Sequence, residues 1–325
     1  MQSFWLSSLR WGRSRLAAKQ RSREDHMTKQ RIGFIGVGLM GHGMAKNIVE
    51  KGYPLTVMAN RNREPVEDLV KRGATEARNA REVAAASDVV IICVTGAPQV
   101  EAVVNGPDGV RAAAKPGLTI IDCSTSEPTL TRRLAEELAP LGVTFLDAPL
   151  SRTPKEAWEG KLDVMTGGAE ADLARVHDVI ACFAGRIVHV GPTGAGHTMK
   201  IVNNFVSMGY AALYAEALAV AKANGVAPKA MNAVLSGGRM DCGFYQTFFK
   251  YVIERDENAH RFTLANAHKD MRYCANMAQA AGIANPMGNA VKNYFAMAEA
   301  QGNGGKYVPM LSDEVARWNG VNLLD

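Results

Sequence analysis

The sequence lacks the patterns that mark several common protein classes. Its five cysteines form no CxxC pair, and its seven histidines show no HExxH or similar ligand spacing. We therefore predict reduced cysteines in the core and no bound metal. No stretch reaches the roughly 18 to 20 apolar residues of a membrane-spanning helix, and the basic residues are scattered rather than aligned along one face. These absences predict a cytoplasmic protein that binds neither nucleic acid nor membrane.

The N-terminal segment carries most of the positive charge. The formal net charge is +5 over 325 residues, and residues 1–26 alone hold six lysines and arginines against Glu24 and Asp25. Aromatic residues followed by arginines superficially resemble an organelle transit peptide. We favour instead a disordered tail or an over-extended start over residues 1–30, with Met27 as the working initiator.

A glycine pattern after the first apolar run predicts a dinucleotide-binding site. Gly36, Gly38 and Gly41 follow residues 32–35 and precede a helical pattern that starts near Leu39. The first glycine permits a tight turn, the second lets the backbone approach phosphates, and the third lets the helix pack on the strand. The N–H groups and positive end of that helix would then hold a pyrophosphate. A glycine turn in some other α/β protein is the alternative.

Apolar runs alternate with helical stretches from residue 31 onward, which is typical of a mostly parallel sheet covered on both faces. Beyond residue 191 the pattern becomes helical, and residues 197–224 predict one helix of about 40 Å. We predict an α/β fold, with a Rossmann-type domain over 31–192 and an all-α substrate and oligomerisation domain over 193–325. The predicted strands are 32–35, 55–59, 89–94, 119–122, 144–147, 162–166 and 187–190, and the later helices are 229–235, 243–254, 265–281 and 287–300.

The end of the second predicted strand bears on the choice of cofactor. NAD-binding proteins usually place Asp or Glu there, about 20 residues past the glycines, whereas arginine suits the 2′-phosphate of NADP. This chain has Asn60, Arg61, Asn62 and Arg63, with two guanidiniums and no carboxylate. NADP(H) is favoured because guanidinium groups bind phosphate bidentately. NAD(H) stays open, since these arginines could simply solvate a loop.

Several segments of the chain together carry a family pattern. They are 36–41 with Asn47, 122–125, 147–151 with 160–162 and 167–168, 194–204, and 269–270. These segments resemble the β-hydroxyacid dehydrogenase family, to which 3-hydroxyisobutyrate dehydrogenases and tartronate semialdehyde reductases belong. The resemblance covers about residues 31–310. It implies hydride transfer between NAD(P) and a short β-hydroxy acid, on a Rossmann domain followed by a helical domain, in a homodimer or homotetramer.

The resemblance implies that Lys200 is the catalytic residue. Reduction of a carbonyl leaves an alkoxide, so a cation that donates a proton must lie within hydrogen-bond reach of that oxygen. Desolvation can lower a lysine pKa toward neutrality. A lone lysine on an apolar helix is otherwise a snorkelling residue, and the surrounding motif favours catalysis. We expect substrate contacts from Ser124, Ser151, Asn203 and Asn204, and cofactor contacts from Gly36, Gly38, Leu39, Met40, Gly41, Asn60, Arg61, Asn62, Val94, Thr95, Thr125 and Lys269.

One departure from the family bears on the substrate. Most members read Asp-Ala-Pro-Val-Ser-Gly-Gly, whereas this chain has Arg152 and Thr153 in place of the glycines. An arginine offers a charged fork for a carboxylate, sulfonate or phosphate. Together with Ser207, on nearly the same helix face as Lys200, this pattern is similar to the sulfolactaldehyde reductase branch, and all three residues become candidate substrate contacts. Alternatively, Arg152 faces solvent or pairs with Glu156.

The sequence therefore predicts an NAD(P)-dependent oxidoreductase that prefers NADPH and interconverts a short anionic semialdehyde and its β-hydroxy acid. Lys200 is its general acid and base. The candidate substrates are those of 3-hydroxyisobutyrate, tartronate semialdehyde and sulfolactaldehyde metabolism. An oxidative decarboxylase of the 6-phosphogluconate dehydrogenase type and a non-enzymatic dinucleotide sensor are the alternatives, whereas an imine reductase typically lacks the lysine.

Overall fold

The computed structural model describes residues 29–324, so most of the tail predicted over 1–30 lies outside the described residues. Within that range nine strands form one sheet in the order β3-β2-β1-β4-β5-β6-β8-β7, and β9 pairs with β8. The strands are β1 (Ile32–Ile35), β2 (Leu55–Met58), β3 (Thr75–Ala77), β4 (Val89–Ile92), β5 (Thr119–Asp122), β6 (Thr144–Asp147), β7 (Leu150–Ser151), β8 (Leu162–Gly167) and β9 (Ala184–Gly191).

Helices cover the sheet and then form a second, helical part of the chain. The helices among the strands are α1 (Gly41–Glu50), α2 (Glu64–Lys71), α3 (Ala80–Ala85), α4 (Ala97–Asn105), α5 (Pro128–Leu138), α6 (Pro154–Glu159) and α7 (Glu170–Ile180). The later helices are α8 (Ala195–Ala223), α9 (Pro228–Leu235), α10 (Gly243–Glu254), α11 (Leu264–Ala280), α12 (Pro286–Ala298) and α13 (Leu311–Trp318). Short 3₁₀ turns lie at Val110–Ala113, Ala139–Leu141 and Val308–Met310, and a π turn at Glu299–Asn303.

The mostly parallel sheet confirms the predicted fold class. Strands β1 to β6 pair in parallel, whereas β8 runs antiparallel to β6 and β7 and parallel to β9. The central strands β1, β4 and β5 are buried along their whole length because helices cover both faces. Each predicted strand is present. The polar edge strand β3 and the short strand β7 were not predicted from the sequence. The predicted start of α1, near Leu39, lies slightly before the observed start at Gly41.

The predicted long helix is confirmed as α8, which is 29 residues long. One continuous apolar cluster runs from one face of the sheet into the helical part, joining residues such as Ile92 and Ile120 to Ile201 and Met208. The two parts of the chain therefore share a core. Among the described residues, no helix combines the length and hydropathy that crossing a bilayer requires. One cysteine departs from the expected burial, because Cys242 is exposed.

Asp147 attaches the start of α8 to the sheet. This residue ends β6 and is completely buried. Its carboxylate accepts hydrogen bonds from the backbone N–H groups of Gly194 at 2.7 Å and His197 at 2.8 Å. Such N–H groups at a helix start have no partner within the helix, and a negative charge there is favoured by the helix dipole. The sheet therefore sets the position of α8 and of its side chains.

Two glycines make room for this carboxylate. A Cβ on Gly196 would lie 2.6 Å from the carbonyl oxygen of Met165 and 2.8 Å from the Asp147 carboxylate. A Cβ on Gly167 would lie 2.5 Å from the same carboxylate. Because the Met165 carbonyl belongs to the β8 backbone, it cannot rotate out of the way. Helix α8 can approach the sheet this closely only without a side chain at residue 196.

We expect Gly196→Ala to lower the free energy of unfolding by about 1–3 kcal/mol, since the added methyl group overpacks a site bounded by backbone. Gly209→Ala on the same helix is the matched control, because a Cβ there meets nothing within 4 Å. The control should be neutral or more stable, given the higher helix propensity of alanine. Urea unfolding of both variants checks this. Equal stability of the two variants would show that the close approach at residue 196 is unimportant.

Candidate active site

Lys200 lies near the beginning of α8, where the helix leaves the sheet, and its side chain is partly buried. Within residues 29–324 its ammonium group has no hydrogen-bond or ion-pair partner. Burial lowers the pKa of Lys200 from 10.5, the negative charge of Asp270 raises it, and the positive charge of Lys269 lowers it. A lysine in this state can exchange a proton more readily than one on the surface. This is the property that a proton donor to a developing alkoxide needs.

Asp270 organises the polar groups beside Lys200. It is completely buried on α11 and accepts a hydrogen bond at 2.6 Å from the side-chain amide of Asn204. Its other oxygen lies 3.2 Å from the Lys269 ammonium. The amide of Asn203, which is exposed, donates to the Asn204 carbonyl oxygen at 3.4 Å. One buried carboxylate thus holds the amide groups that follow Lys200 on the helix.

The loop after β4 meets α11 at two points. The Lys269 ammonium donates a hydrogen bond to the backbone carbonyl of Thr95. The Tyr273 hydroxyl accepts a hydrogen bond from the backbone N–H of Ala97 at 3.0 Å. A Cβ on Gly96 would lie 2.7 Å from that hydroxyl, so the contact is close. The structure therefore brings together Lys269 and Thr95, two of the predicted cofactor residues from different parts of the chain.

Ser124 lies at the end of β5 and is only 2% exposed. Its hydroxyl accepts a hydrogen bond from the backbone N–H of Val94 at 3.0 Å, which ties the loops after β4 and β5 together. Its backbone N–H donates to Asp122 at 2.9 Å. Thr125, the next residue, is partly buried. In the structure the Ser124 side chain connects these two loops, and its contact with substrate stays a prediction.

A buried histidine next to the loop after β5 was not identified from the sequence. His197 is fully buried on α8, and its Nδ1 lies 2.7 Å from the Thr131 hydroxyl. Its Nε2 lies 3.1 Å from the Ser124 carbonyl oxygen and 3.8 Å from Asp122. Burial raises the pKa of Asp122, and a positive charge on His197 would oppose this. The only signal in the sequence was a polar residue on an otherwise apolar stretch, which does not identify its partners.

The glycine loop between β1 and α1 has the geometry of a phosphate cradle. Gly36 adopts φ +101°, and a Cβ there would lie 2.2 Å from the Cys93 carbonyl oxygen. A Cβ on Gly41 would lie 2.1 Å from the Gly36 carbonyl oxygen, whereas one on Gly38 would meet nothing within 4 Å. The open space at Gly38, next to the start of α1, fits a dinucleotide pyrophosphate. Leu39, 70% exposed, and the partly buried Met40 border it.

The two arginines after β2 differ in their surroundings. Arg63 donates hydrogen bonds at 3.0 Å to both carboxylate oxygens of Glu76 on β3. Arg61 is exposed and has no ion-pair or hydrogen-bond partner in the part of the chain that the structure describes. Asn60 is exposed, and the Asn62 side chain accepts a hydrogen bond from the next helix start. Only one of the two predicted phosphate-binding guanidiniums is therefore free.

Arg152, after β7, is exposed, which agrees with the alternative that it faces solvent. Its guanidinium donates a hydrogen bond to Asp163 at 2.8 Å and none to Glu156. The pair forms because antiparallel pairing of β7 with β8 places Asp163 opposite Ser151. Arg152 adopts φ +85°, a conformation that favours glycine. Thr153 caps α6 by a reciprocal pair of hydrogen bonds with Glu156. One N–H group of the predicted anion fork thus binds a carboxylate of this chain, and contact of Arg152 with substrate stays a prediction.

Ser207 lies on the same side of α8 as Lys200 and Asn203. Its hydroxyl donates to the backbone carbonyls of Asn203 at 3.2 Å and Asn204 at 3.1 Å. Among residues 29–324 no group of three or more His, Cys, Asp or Glu side chains gathers closely enough to hold a metal ion. Amides, hydroxyls and the charges of α11 are among the polar side chains near Lys200.

Comparison with known proteins covers both parts of the chain. A profile described as the NAD binding domain of 6-phosphogluconate dehydrogenase matches residues 31–191. A second, described as NAD-binding of NADP-dependent 3-hydroxyisobutyrate dehydrogenase, matches residues 194–309. The crystal structure of 3-hydroxyisobutyrate dehydrogenase from Salmonella typhimurium superposes with a TM-score of 0.77 at 28% identity, over 87% of this chain and 99% of that one.

Three curated relatives extend the comparison. The chain is 35% identical to 2-(hydroxymethyl)glutarate dehydrogenase of Eubacterium barkeri, over 84% of this chain and 91% of that protein. It is 34% identical to 2-hydroxy-3-oxopropionate reductase of Escherichia coli, over 84% and 92%. It is 29% identical to 3-sulfolactaldehyde reductase of the same organism, over 84% and 91%. Together with the site geometry, these matches show that the chain belongs to the β-hydroxyacid dehydrogenase family of NAD(P)-dependent oxidoreductases.

Proposed function

We propose that this enzyme interconverts a short anionic semialdehyde and its β-hydroxy acid, prefers NADPH, and uses Lys200 as general acid and base. The observation that carries the proposal is the Lys200 ammonium, which is partly buried, lowered in pKa and without a partner among residues 29–324. An ammonium group in this state is free to bind a substrate oxygen. We also propose that residues 31–192 bind the dinucleotide and that residues 193–325 supply Lys200 and the contacts of a homodimer or homotetramer, in the cytoplasm.

Lys200 would transfer a proton to the substrate in reduction and accept one from it in oxidation. A nicotinamide dinucleotide held at the glycine loop of residues 36–41 would supply the hydride to the substrate carbon in reduction and accept it in oxidation. In reduction, the Lys200 ammonium donates its proton to the carbonyl oxygen, which becomes the alcohol, and in oxidation the neutral amine takes that proton back. The negative charge of Asp270 favours the protonated form of Lys200. Asn204, whose side-chain amide donates a hydrogen bond to Asp270, lies one helical turn after Lys200. The amides of Asn203 and Asn204 would orient the substrate.

The names of the curated relatives support a substrate with an acidic group. The three relatives are named for short substrates that each carry one. Asn203, Ser207, Ser124 and Ser151 are the residues that we propose contact the substrate near Lys200. Sulfolactaldehyde is a narrower candidate. Its sulfonate would bind the N–H groups of Arg152 that do not donate to Asp163.

We expect Lys200→Ala to lower kcat by about 10²- to 10⁴-fold, the usual contribution of general acid–base catalysis, with unchanged NADPH affinity. NADPH absorbance reports turnover of methylmalonate, succinic and tartronate semialdehydes and of sulfolactaldehyde. Lys71→Ala, an exposed lysine on α2, is the control. Near-normal turnover by Lys200→Ala would remove this residue from the mechanism. Release of CO₂ would favour an oxidative decarboxylase, and tight NADPH binding without any turnover would favour a sensor.

We expect Asp270→Asn to shift the pH dependence of kcat. The Asp270 charge raises the pKa of Lys200, so its removal lowers that pKa further. Reduction needs protonated Lys200, and its activity should therefore decline at a lower pH than in the wild type. Lys269→Gln is the control of opposite sign, because the Lys269 charge lowers the same pKa. Shifts in the same direction for both variants would show that these charges do not control Lys200.

We expect Arg61→Ala to reduce kcat/KM for NADPH by about ten- to a hundredfold, the value of a hydrogen-bonded charge, and to leave kcat/KM for NADH nearly unchanged. Arg63→Ala should have a smaller effect, since Arg63 is held by Glu76. Steady-state kinetics with both cofactors measures this. A wild-type preference for NADH would contradict the proposed cofactor.

A further inference from the structure

His260 lies in the segment that connects α10 to α11, and its side chain is partly buried. Its ring contacts the ring of Phe244 edge-on, with centroids 5.3 Å apart and planes at 78°. Phe244 in turn packs against Tyr210 and Tyr214 of α8, with centroids 6.5 Å apart in each case. This aromatic contact fixes the ring of His260 beside α8.

The face of α8 next to this aromatic group carries the proposed substrate residues. Lys200, Asn203, Ser207, Tyr210 and Tyr214 follow one another at spacings of three and four residues, so they lie along one side of the helix. His260 packs on Phe244, which packs on Tyr210. The ring therefore lies on the side of α8 that carries these residues. The positive charge of Lys200 lowers the pKa of the ring.

The ring nitrogens of His260 have no hydrogen-bond or ion-pair partner within the described range of 29–324. Partly buried polar groups are usually satisfied by protein or by ligand. The charges of Lys250 on α10 and of Arg255 in the same segment as His260 are paired, with Asp256 and Asp313 respectively. The Lys269 and Asp270 charges of α11 act on the pKa of Lys200. An unused donor thus lies on the side of α8 that carries the proposed proton donor.

We propose that His260 is a specificity-determining residue that donates a hydrogen bond to the anionic group of the substrate while Lys200 binds its reacting oxygen. This inference rests on the proposed function and names a second contact of the same site.

The ring should respond to the bound anion in a defined direction. Burial and the Lys200 charge both lower the pKa of His260 from 6.5, so the ring is neutral in the free enzyme at pH 7. A bound carboxylate favours the charged ring and raises this pKa. Substrate affinity should therefore be highest at acidic pH, decrease as the pH increases above the pKa of the free ring, and level off above the pKa of the complex. Because binding takes up a proton at His260, this pH dependence lies in KM, whereas that of Lys200 lies in kcat.

The kinetic test compares 3-hydroxyisobutyrate with its uncharged methyl ester. We expect His260→Phe to raise KM for the acid about ten- to a hundredfold, as loss of a hydrogen bond to a charge predicts, with kcat nearly unchanged. KM for the ester should stay the same. His260→Gln keeps a donor and should recover part of the affinity without its pH dependence. His177→Gln, an exposed histidine on α7, is the control. Unchanged KM, or equal increases for acid and ester, would overturn the proposal.

A second measurement separates failure of this proposal from failure of the proposed function. NMR titration of the His260 ring, assigned by its absence in His260→Gln, needs no turnover. We expect 3-hydroxyisobutyrate or 2,3-dihydroxypropanesulfonate to raise the ring pKa in the NADP-loaded wild type. If the wild type oxidises neither compound, the proposed function is contradicted for these substrates, and the titration alone decides for His260. A ring pKa that neither anion changes overturns the inference.

Discussion

The bond between the Asp147 carboxylate and the start of α8 is the interaction on which the rest of the structure depends. It joins the last strand of the parallel part of the sheet to the helix that carries Lys200. A buried carboxylate without partners would be strongly destabilising, but here the free N–H groups of the helix start supply them. Because both sides of the bond are rigid elements, the position of Lys200 relative to the ends of β4, β5 and β6 follows from the sheet itself.

The positive charges around Lys200 outnumber the negative charges. Two lysines, Lys200 and Lys269, share one buried carboxylate, that of Asp270. One positive charge in a partly buried site therefore has no counterpart within residues 29–324. An anionic substrate would supply it, which fits a family whose members act on short acids. The same imbalance explains why the Lys200 pKa is lowered although an acidic residue lies nearby: burial and the second lysine together outweigh Asp270.

The sequence predicted those features that depend on local pattern. Continuous apolar runs identified the strands, and the motif over 194–204 made Lys200 the candidate catalytic residue. It could not predict partners that strand order brings together. Glu76 reaches Arg63 because β3 lies beside β2, and Asp163 reaches Arg152 because β7 folds back along β8. These pairings are distant in the chain and leave no periodic signal. The sequence did not identify His197 or His260 for the same reason, since the Thr131 hydroxyl beside His197 and the Phe244 ring beside His260 come from other elements.

The crowding around Asp147 has a consequence for how related sequences can diverge. The carboxylate, Gly167 and Gly196 occupy one small volume that is closed by the β8 backbone. A side chain gained at either glycine has no space unless the acid is shortened or the helix moves, and moving the helix also moves its lysine. Substitutions at these three distant positions should therefore be inherited as a set, so that paralogues with a different acid at residue 147 also differ in their helix register.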